Sequence, residues 1–397
     1  MVPAIRQAFN KAFTEQTYQS FLEDLNSKFP GAIDFRVAET PQFFPRSFLQ
    51  KMTDTCDYII DTFLQPSFKE ATENAIPPGD RVAGKEGIPH CIAFDFGVCV
   101  DAHGEPEPQL IELQGFPTLF GFQALLPEVM RRHYTIPDGY SHFFSGLNRE
   151  SYIQLLREII LADADPSEVI LLEIRPHEQK TRIDFYCMQE MLGIQPVCIT
   201  ELFHEERNLF YKKNGVKTPV KRIYNRIIFD ELHARKESLG PIIDLREDWN
   251  VTWVPHPNWF YRISKYMLPF LDHPHVPETW FLSDLKTPPA DLQQFVLKPL
   301  FSFAGQGVVI DVTMEDIERI QDPEHWILQR KVTYADIIET PDVPAKVEIR
   351  LMYLWKEGDA RPILATNLSR LSKGKMIGVR YNQDKTWVGG SVAFFES

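Results

Sequence analysis

The spacing of hydrophobic and polar residues divides the chain into stretches with different expected structure. Residues 1–75 carry aromatic residues at helical spacing with charged residues between them, and this pattern predicts helices. The aromatic anchors include Phe9, Phe13, Tyr18 and Phe21. Residues 90–115 instead form two strand-like segments around a turn at 103–104, which predicts a β-hairpin.

The middle of the chain has the pattern of a strand–helix–strand unit. Residues 150–162 have apolar positions at helical spacing, and residues 169–174 form a short apolar run that is expected to be a buried strand. A second helix is predicted over 181–191, closed by Gly193, because glycine commonly ends a helix. Residues 195–199 then resume a strand. A parallel sheet is therefore expected in this region.

The last third of the chain alternates apolar and polar residues with a period of two, which is typical of β-strands. Strands are predicted over 294–298, 307–311, 326–332, 347–355 and 361–368. Prolines cluster in the connections between elements. Together with the parallel sheet, this antiparallel region predicts a mixed architecture, α/β in the middle and α+β towards the end.

Composition narrows the class of protein. The 397 residues carry a formal net charge of −13, with 44% hydrophobic and 24% charged residues. This balance is typical of a soluble globular protein, whereas a general nucleic-acid binder needs a basic surface. No window approaches the roughly 20 apolar residues of a membrane span, and no apolar signal core is present. The five cysteines are scattered without a CxxC pair, which favours reduced thiols in a cytoplasm over disulfides or zinc.

The first candidate site is the segment 295–311, which has the pattern of a strand, a glycine turn and a second strand. Lys298 ends the first strand, and Gly305 and Gly307 lie in the turn. Glycines let backbone N–H groups approach an anion and the lysine adds a point charge, so the segment is suited to a polyphosphate. It matches neither a Walker P-loop nor a GxGxxG motif, and an ordinary turn is the alternative.

The second candidate site is a pair of carboxylates on the predicted hairpin. A turn centred on 103–104 opposes residues whose numbers sum to 207, as do those of Asp95 and Glu112. Such side chains lie about 5 Å apart at Cβ, and Gln114 faces the same side. Two opposed carboxylates repel unless a cation lies between them, which predicts Mg²⁺ or Mn²⁺. In the alternative, the turn is longer and one carboxylate points to solvent.

Two further segments carry weaker signals. The apolar strand 326–332 ends in a polar hinge after Gln329, where the backbone could contact the edge of an adenine ring. The same pattern also fits an ordinary edge strand. Lys265 follows a basic stretch and could contact a phosphate, although a lone lysine is usually a solvated surface group.

Taken together, these segments resemble the ATP-grasp superfamily. Lys265, Lys298 with its glycine turn, and the hinge at 329–332 follow the order of that family's two phosphate lysines, glycine-rich lid and adenine hinge. Residues 348–350 and 365–370 resemble the strands after the hinge, the second of which carries Arg370 near the transferred phosphoryl group.

The metal module of the family, which ordinarily comes next, is matched at the other end of the chain. Asp95 and the sequence Glu112-Leu-Gln114 resemble that module. This is the order of circularly permuted ATP-grasp proteins such as the glutathionylspermidine-synthase-like ligases. One departure is that glutamine occupies the place of the family's asparagine. Its carbonyl oxygen can also bind a metal, but it lies one methylene further from the backbone.

The resemblance implies a set of site residues and a division of the chain. ATP would be bound by Lys265, Lys298, Ser302, Gly305, Gly307, Gln329, Lys331 and Val332, the metal by Asp95, Glu112 and Gln114, and the reaction assisted by Arg370 and Arg226. Residues 1–145 would hold N-terminal helices and the relocated metal module. Residues 146–250 would form a Rossmann-like pre-ATP-grasp domain, and 251–397 the nucleotide-binding lobes.

The implied activity is an ATP- and Mg²⁺-dependent carboxylate–amine ligase that works through an acyl phosphate. Its partners would be ATP and a small-molecule carboxylate and amine, without nucleic acid or membrane, and a homodimer is one candidate assembly. Two other classes stay open. One is a non-catalytic ATP-binding or regulatory protein of the same fold, and the other is an interaction scaffold.

Overall fold

The structure, a computed structural model, describes residues 1–301, 307–374, 377 and 382–397. Its α-helices are α1 (Pro3–Ala12), α2 (Glu15–Ser27), α3 (Arg46–Phe63), α4 (Phe68–Ala71), α5 (Phe122–His133), α6 (Arg149–Ile160), α7 (Arg182–Leu192), α8 (Phe229–Leu239), α9 (Asn258–Arg262) and α10 (Met314–Glu318). Its strands are β1 (Gln42–Phe44), β2 (Cys91–Val100), β3 (Pro106–Gln114), β4 (Tyr140–Ser141), β5 (Val169–Glu173), β6 (Gln195–Cys198), β7 (Phe203–Glu205), β8 (Asn208–Lys213), β9 (Val216–Val220), β10 (Arg222–Asn225), β11 (Thr252–Val254), β12 (Thr279–Phe281), β13 (Phe295–Pro299), β14 (Val309–Ile310), β15 (Trp326–Arg330), β16 (Lys346–Leu354), β17 (Ile363–Ser372), β18 (Gly389–Ser391) and β19 (Ala393–Glu396).

A five-stranded antiparallel sheet joins the two ends of the chain. Its strand order is β18-β17-β16-β2-β3, so the predicted hairpin pairs with strands that follow it by more than 200 residues. Strand β2 is buried along nearly its whole length. Its side chains Ile92, Phe94 and Phe96 belong to the same apolar cluster as Met52 and Ile59 of α3. This packing fixes the hairpin against the C-terminal strands.

The predicted strand–helix–strand unit is confirmed. Strands β5 and β6 pair in parallel and are joined by α7, and β10 and β11 extend the sheet to the order β11-β10-β5-β6. Gly193 closes α7 with a φ of 79°, a left-handed conformation that glycine adopts without strain. The residues between β6 and β10 form a further three-stranded meander, β7-β8-β9, which the sequence pattern did not predict.

A second antiparallel sheet, ordered β12-β15-β13-β14, carries the predicted phosphate segment. Strands β13, β14, β15, β16 and β17 correspond to the five predicted strands, with shifted ends. The strand predicted from 361 begins instead at Ile363, because Pro362 has no N–H to donate to a ladder. The antiparallel character predicted for the last third is confirmed.

The N-terminal region is largely helical, as predicted, and packs on the rest of the chain. Helices α1 and α2 share an apolar cluster with α5 through side chains such as Phe9, Phe21 and Leu126. Strand β1 pairs in parallel with β19, which ties residues 42–44 to 393–395. All five cysteines are buried and unbridged. Among the helices of the described chain, none combines the length and apolarity needed to cross a bilayer.

The overall class is therefore mixed, with a parallel sheet and several antiparallel ones, as the sequence pattern indicates. The boundaries predicted at 145 and 250 stay predictions, since apolar clusters run across them.

Candidate functional site

The predicted pairing of Asp95 with Glu112 is confirmed. The two residues face each other across β2 and β3, and the register shifts immediately afterwards, where Phe96 pairs with Leu110. On the other side of β2, Asp95 faces Arg350 of β16. One row across three strands thus carries two carboxylates and a guanidinium.

Arg350 neutralises Asp95 directly. Its Nε and Nη2 donate to the two carboxylate oxygens of Asp95, and its Nη1 donates to Thr118 Oγ1 at 3.1 Å. The same guanidinium lies 3.8 Å from Glu112 Oε1. Glu112 is about one-third exposed and also accepts a hydrogen bond from Gln114 Nε2 at 3.0 Å, so both side chains face the same side of the hairpin, as predicted.

The neighbouring row repeats the alternation of charge. Glu348 of β16 pairs in register with Arg370 of β17, and the Arg370 guanidinium donates to Glu348 Oε1 and, at 3.1 Å, to Asp95 Oδ2. The second oxygen of Glu348 accepts from Tyr334 Oη at 3.0 Å. Arg370 is more than one-third exposed, so it belongs to the open side of this network.

Lys298 connects this network to the second antiparallel sheet. From β13 its Nζ donates to Gln329 Oε1 at 2.5 Å on β15 and to the carbonyl of Ile111 at 3.3 Å on β3. The residue is only 9% exposed. Burial lowers the pKa of Lys298 to about 8, an effect that the nearby Glu112 carboxylate opposes. The lysine therefore lies between two sheets. Its pKa is close enough to neutral pH for its charge to depend on pH.

Lys265 approaches the same carboxylate from a third element. It begins a short 3₁₀ helix, whose first turn is capped by Ser264 accepting from the Tyr266 N–H. Burial lowers the pKa of Lys265, and the charges of Glu112 and Asp230 act in the opposite direction. Lys265 is thus a buried lysine next to Glu112 and not a solvated surface group.

Two neighbouring residues of the predicted adenine hinge, Lys331 and Val332, contact different parts of the protein. The Lys331 side chain donates to Asp311 Oδ1 at 2.6 Å, so it lies towards β14. Val332 instead packs on the hairpin, where a Cβ added at Gly97 would come within 3.0 Å of its Cγ1. Gly97 therefore lets the chain after β15 lie directly on β2.

The glycine turn can be followed only in part. Gly307 has a φ of 72°, a left-handed backbone conformation that glycine adopts without the steric strain that other residues would have. Ser302 and Gly305 lie outside the described residues.

Arg226 lies at the carboxyl edge of the parallel sheet, directly after β10. Its guanidinium stacks between two rings, 5.3 Å from the centroid of Phe116 and 5.4 Å from that of Phe185. Arg226 is 8% exposed, yet its Nε and Nη1 have no hydrogen-bond partner within the described chain. Ligands of open α/β sheets bind at this edge.

The surroundings of Arg226 contain further unsatisfied polar groups. Asp184 Oδ2 and Tyr224 Oη are buried without a partner in the described structure. The other oxygen of Asp184 accepts from the N–H groups of Gly121 and Phe122 and so caps α5. Burial raises the pKa of Glu173, at the end of β5, to about 8, although Arg226 acts against this shift.

The fit of this site to a nucleotide rests on the lysine pair and one orphaned amide. Gln329 Nε2 is buried without a partner in the described chain, beside the Lys298 ammonium. A phosphate oxygen would satisfy that donor and would contact the lysine. Around it lie four cations (Lys265, Lys298, Arg350 and Arg370) and four carboxylates (Asp95, Glu112, Glu348 and, acting on Lys265, Asp230). The two lysines beside the unpartnered amide are suited to a polyanion.

The fit to a metal ion is different for each predicted ligand. Asp95 does not fit the role of metal ligand, because Arg350 and Arg370 already donate to its oxygens. Glu112 and Gln114 do fit it, since both are partly exposed and oxygen-bearing. In keeping with this, no group of three or more His, Cys, Asp or Glu side chains within the described ranges is arranged to hold a metal.

Several residues of the site were missed by the sequence reasoning. Glu348 and Arg350 were placed on a strand of the resembling family without a role, and Asp184 was noted only within a helix. Their signal was present as charged residues inside otherwise apolar segments, since buried charges occur with partners. The sequence does not show which residue is the partner of each charge, as with Arg350 and Asp95, which are 255 positions apart.

The fold has a counterpart among solved structures. A glutathione synthetase-like effector from Globodera pallida, solved in its apo form, matches with a TM-score of 0.58 and 12% sequence identity over 97% of each chain. No protein-family model and no curated protein matches the sequence. The chain therefore shares a fold with a protein described as glutathione synthetase-like, and the likeness extends over nearly the full length of both.

Proposed function

We propose that the chain is an ATP- and Mg²⁺-dependent carboxylate–amine ligase of the circularly permuted ATP-grasp type. The observation that carries the proposal is a pair of buried lysines, Lys265 and Lys298, whose charges both interact with Glu112, beside the buried and unpartnered Nε2 of Gln329. Buried lysines are costly unless an anion accompanies them. Two buried lysines beside an unpartnered amide donor are well suited to receive a polyphosphate.

Two features of the fold support the ligase over other nucleotide-binding proteins. The hairpin β2–β3 completes a sheet with strands from the far end of the chain, which is the connectivity that a relocated metal module requires. Arg226, with two guanidinium nitrogens that have no partner in the described chain, lies against Phe116, which comes two residues after strand β3, and it is proposed to bind the substrate carboxylate. The glutathione synthetase-like neighbour has the same overall fold.

Each residue has an electrostatic task in this proposal. Lys265 and Lys298 bind the phosphates, and Gln329 Nε2 donates to a phosphate oxygen. Arg370, on the open side of the network, stabilises the transferring phosphoryl group. Mg²⁺ bound together with ATP would neutralise phosphate charge, and Glu112 with Gln114 would hold it. The chain contributes alignment and charge, which is what phosphoryl transfer needs.

The proposed chemistry has two balanced steps. An oxygen of the substrate carboxylate attacks the γ-phosphorus of ATP, the bond to the bridging oxygen breaks, and ADP leaves. The neutral amine then attacks the acyl carbon, the bond between that carbon and the phosphate oxygen breaks, and phosphate departs. The attacking nitrogen, positively charged in the tetrahedral intermediate, loses one proton to solvent as the amide forms.

The first test is thermal unfolding with ATP, Mg²⁺, both or neither, followed by ADP release with panels of carboxylates and amines. A ligand that binds only the native state raises the unfolding midpoint. We expect stabilisation by ATP with Mg²⁺ and ADP release that requires both substrates. No stabilisation at millimolar ATP would contradict nucleotide binding and with it the whole proposal.

A non-catalytic nucleotide-binding protein of the same fold is the second candidate. It is favoured by the saturated ion pairing of Asp95, which leaves fewer oxygens free for a metal than a ligase of this type is expected to use. Nucleotide binding without substrate-dependent ADP release, across carboxylate and amine panels, would identify this second function.

A further inference from the structure

Arg350 occupies a defined place in the sheet and not a surface position. In the register of the five-stranded sheet it faces Asp95, and Asp95 faces Glu112, so the three side chains form one row across β16, β2 and β3. Opposed residues on adjacent strands are close enough to contact each other. The guanidinium therefore sits where a cation would have to sit to bridge the two carboxylates.

The bonds of Arg350 hold it in that place. Nε and Nη2 engage both oxygens of Asp95, and Nη1 is fixed on Thr118. Asp95 is 1% exposed, so water cannot replace Arg350 as the hydrogen-bond partner of its carboxylate. Breaking a buried ion pair by removing one partner is strongly destabilising. A divalent ion would have to displace the guanidinium from Asp95 against that cost.

The charges around Glu112 also oppose a free metal ion. Lys265 and Lys298 both act on this carboxylate, and Arg350 lies 3.8 Å from it. A lone divalent cation entering here would be repelled by three positive groups. A polyphosphate is negatively charged, so a metal ion bound to it is repelled less by these cations than a free metal ion would be.

We propose that Arg350 is a built-in counter-ion that keeps Asp95 out of metal coordination, so that the chain binds a divalent cation only together with a polyphosphate, through Glu112. The second half of this statement rests on the proposed nucleotide site, whereas the first half concerns the protein alone. Removing the Arg350 guanidinium leaves Asp95 opposite Glu112 with Arg370 as its remaining cationic partner, and it frees the space between the two carboxylates for a metal ion.

The test is a titration of the nucleotide-free protein with Mn²⁺, read from the EPR signal of the free ion. The parent should bind weakly, and Arg350→Gln should bind at least about tenfold more tightly, equivalent to about 1.4 kcal/mol. The double variant Asp95→Asn/Arg350→Gln is the matched control and should lose that gain. An Arg350→Gln protein that binds Mn²⁺ no better than the parent would overturn the proposal.

A second comparison keeps the proposal testable if Arg350→Gln does not fold. With ADP present, Asp95→Asn should change Mn²⁺ affinity by less than about twofold, whereas Glu112→Gln should weaken it about tenfold, since only Glu112 loses a ligand oxygen. Equal losses in both variants would mean that Asp95 is a metal ligand and that the proposal is wrong. If ADP fails to bind to any variant, the proposed function fails, and the Mn²⁺ titration alone decides the role of Arg350.

Discussion

Arg350 and Arg226 are equally buried and yet have opposite surroundings. Arg350 is 7% exposed and Arg226 is 8% exposed. All three nitrogens of the Arg350 guanidinium donate to oxygen atoms of Asp95 and Thr118. Two of the three nitrogens of Arg226 have no partner in the described chain, and its charge rests on the faces of Phe116 and Phe185.

This difference in hydrogen bonding distinguishes an arginine that stabilises the fold from one that is available to bind a ligand. A buried donor without a partner costs free energy, so it is retained where a ligand or water supplies the missing acceptor. The Arg350 guanidinium is instead held by three hydrogen bonds, two of them to a buried carboxylate, so its position is fixed by the protein. We therefore assign Arg350 to the internal charge balance and Arg226 to the proposed binding of a substrate carboxylate.

The largest expected effect comes from removing each arginine in turn. Arg350→Gln leaves Asp95 buried without its main partner and should lower the free energy of unfolding by about 3–5 kcal/mol. Arg226→Gln removes a cation that has few partners and should cost less than about 1 kcal/mol, chiefly the lost contact with the two rings. Urea unfolding of the two variants beside the parent measures both values.

The same pair of variants distinguishes the roles in function. Arg226→Gln should bind nucleotide like the parent and lose ADP release that depends on the carboxylate substrate. Equal destabilisation by the two substitutions would show that Arg226 is as much a part of the fold as Arg350, and the contrast between them would be wrong.

The second effect concerns Lys298, which belongs to the satisfied network but also faces the orphaned Gln329 amide. Lys298→Met should weaken nucleotide binding about 100-fold, because hydrogen bonds to charged groups contribute about 1.5–3 kcal/mol each. Isothermal titration with ADP measures the change. Lys356→Met is the matched control, since Lys356 pairs with Glu158 far from the site, and it should bind as the parent does.

The local parts of this arrangement could be predicted from the sequence. The hairpin follows from a short turn and a period of two, and the end of α7 follows from Gly193. The opposition of Asp95 and Glu112 also depends on the register shift between Asp95 and Phe96, which the sequence pattern did not predict. The meander β7-β8-β9 was missed although Asn214-Gly215, whose φ angles are 51° and 81°, is a strong hairpin signal. Such a hairpin signal is local, so the meander was predictable from the sequence.

The long-range parts could not be predicted in the same way. The pairing of β16 with β2 decides that Asp95 meets Arg350, and nothing in either strand specifies the other. The same holds for the two rings that enclose Arg226, which come from a loop after β3 and from α7. The sequence shows charged residues but not their partners, so it did not show that Arg350 contacts Asp95.

A third and smaller effect is the pH dependence of nucleotide affinity. Burial lowers the pKa of Lys298 to about 8 in the free protein, and a bound phosphate would raise it again. Binding therefore takes up a proton above pH 8, so affinity should be constant below that pH and fall by up to about tenfold per pH unit above it. Lys298→Arg, whose side chain stays charged, should bind with little pH dependence. Titrations from pH 7 to 9.5 would contradict the assignment if the two proteins showed the same slope.

The smallest expected effect concerns Gln329, a neutral side chain that accepts a hydrogen bond from Lys298 and has an unpartnered Nε2. Gln329→Met keeps the volume of the side chain but removes the acceptor for Lys298 and the unpartnered Nε2. Because a hydrogen bond between protein groups is worth about 0.5–1.5 kcal/mol, ADP should bind about fivefold more weakly. The exposed Gln293, one strand away, gives the control Gln293→Met, which should leave the affinity unchanged. Unaltered ADP binding in Gln329→Met would mean that the buried amide faces no ligand. The unsatisfied donors around Arg226 would then be the stronger mark of a binding site in this fold.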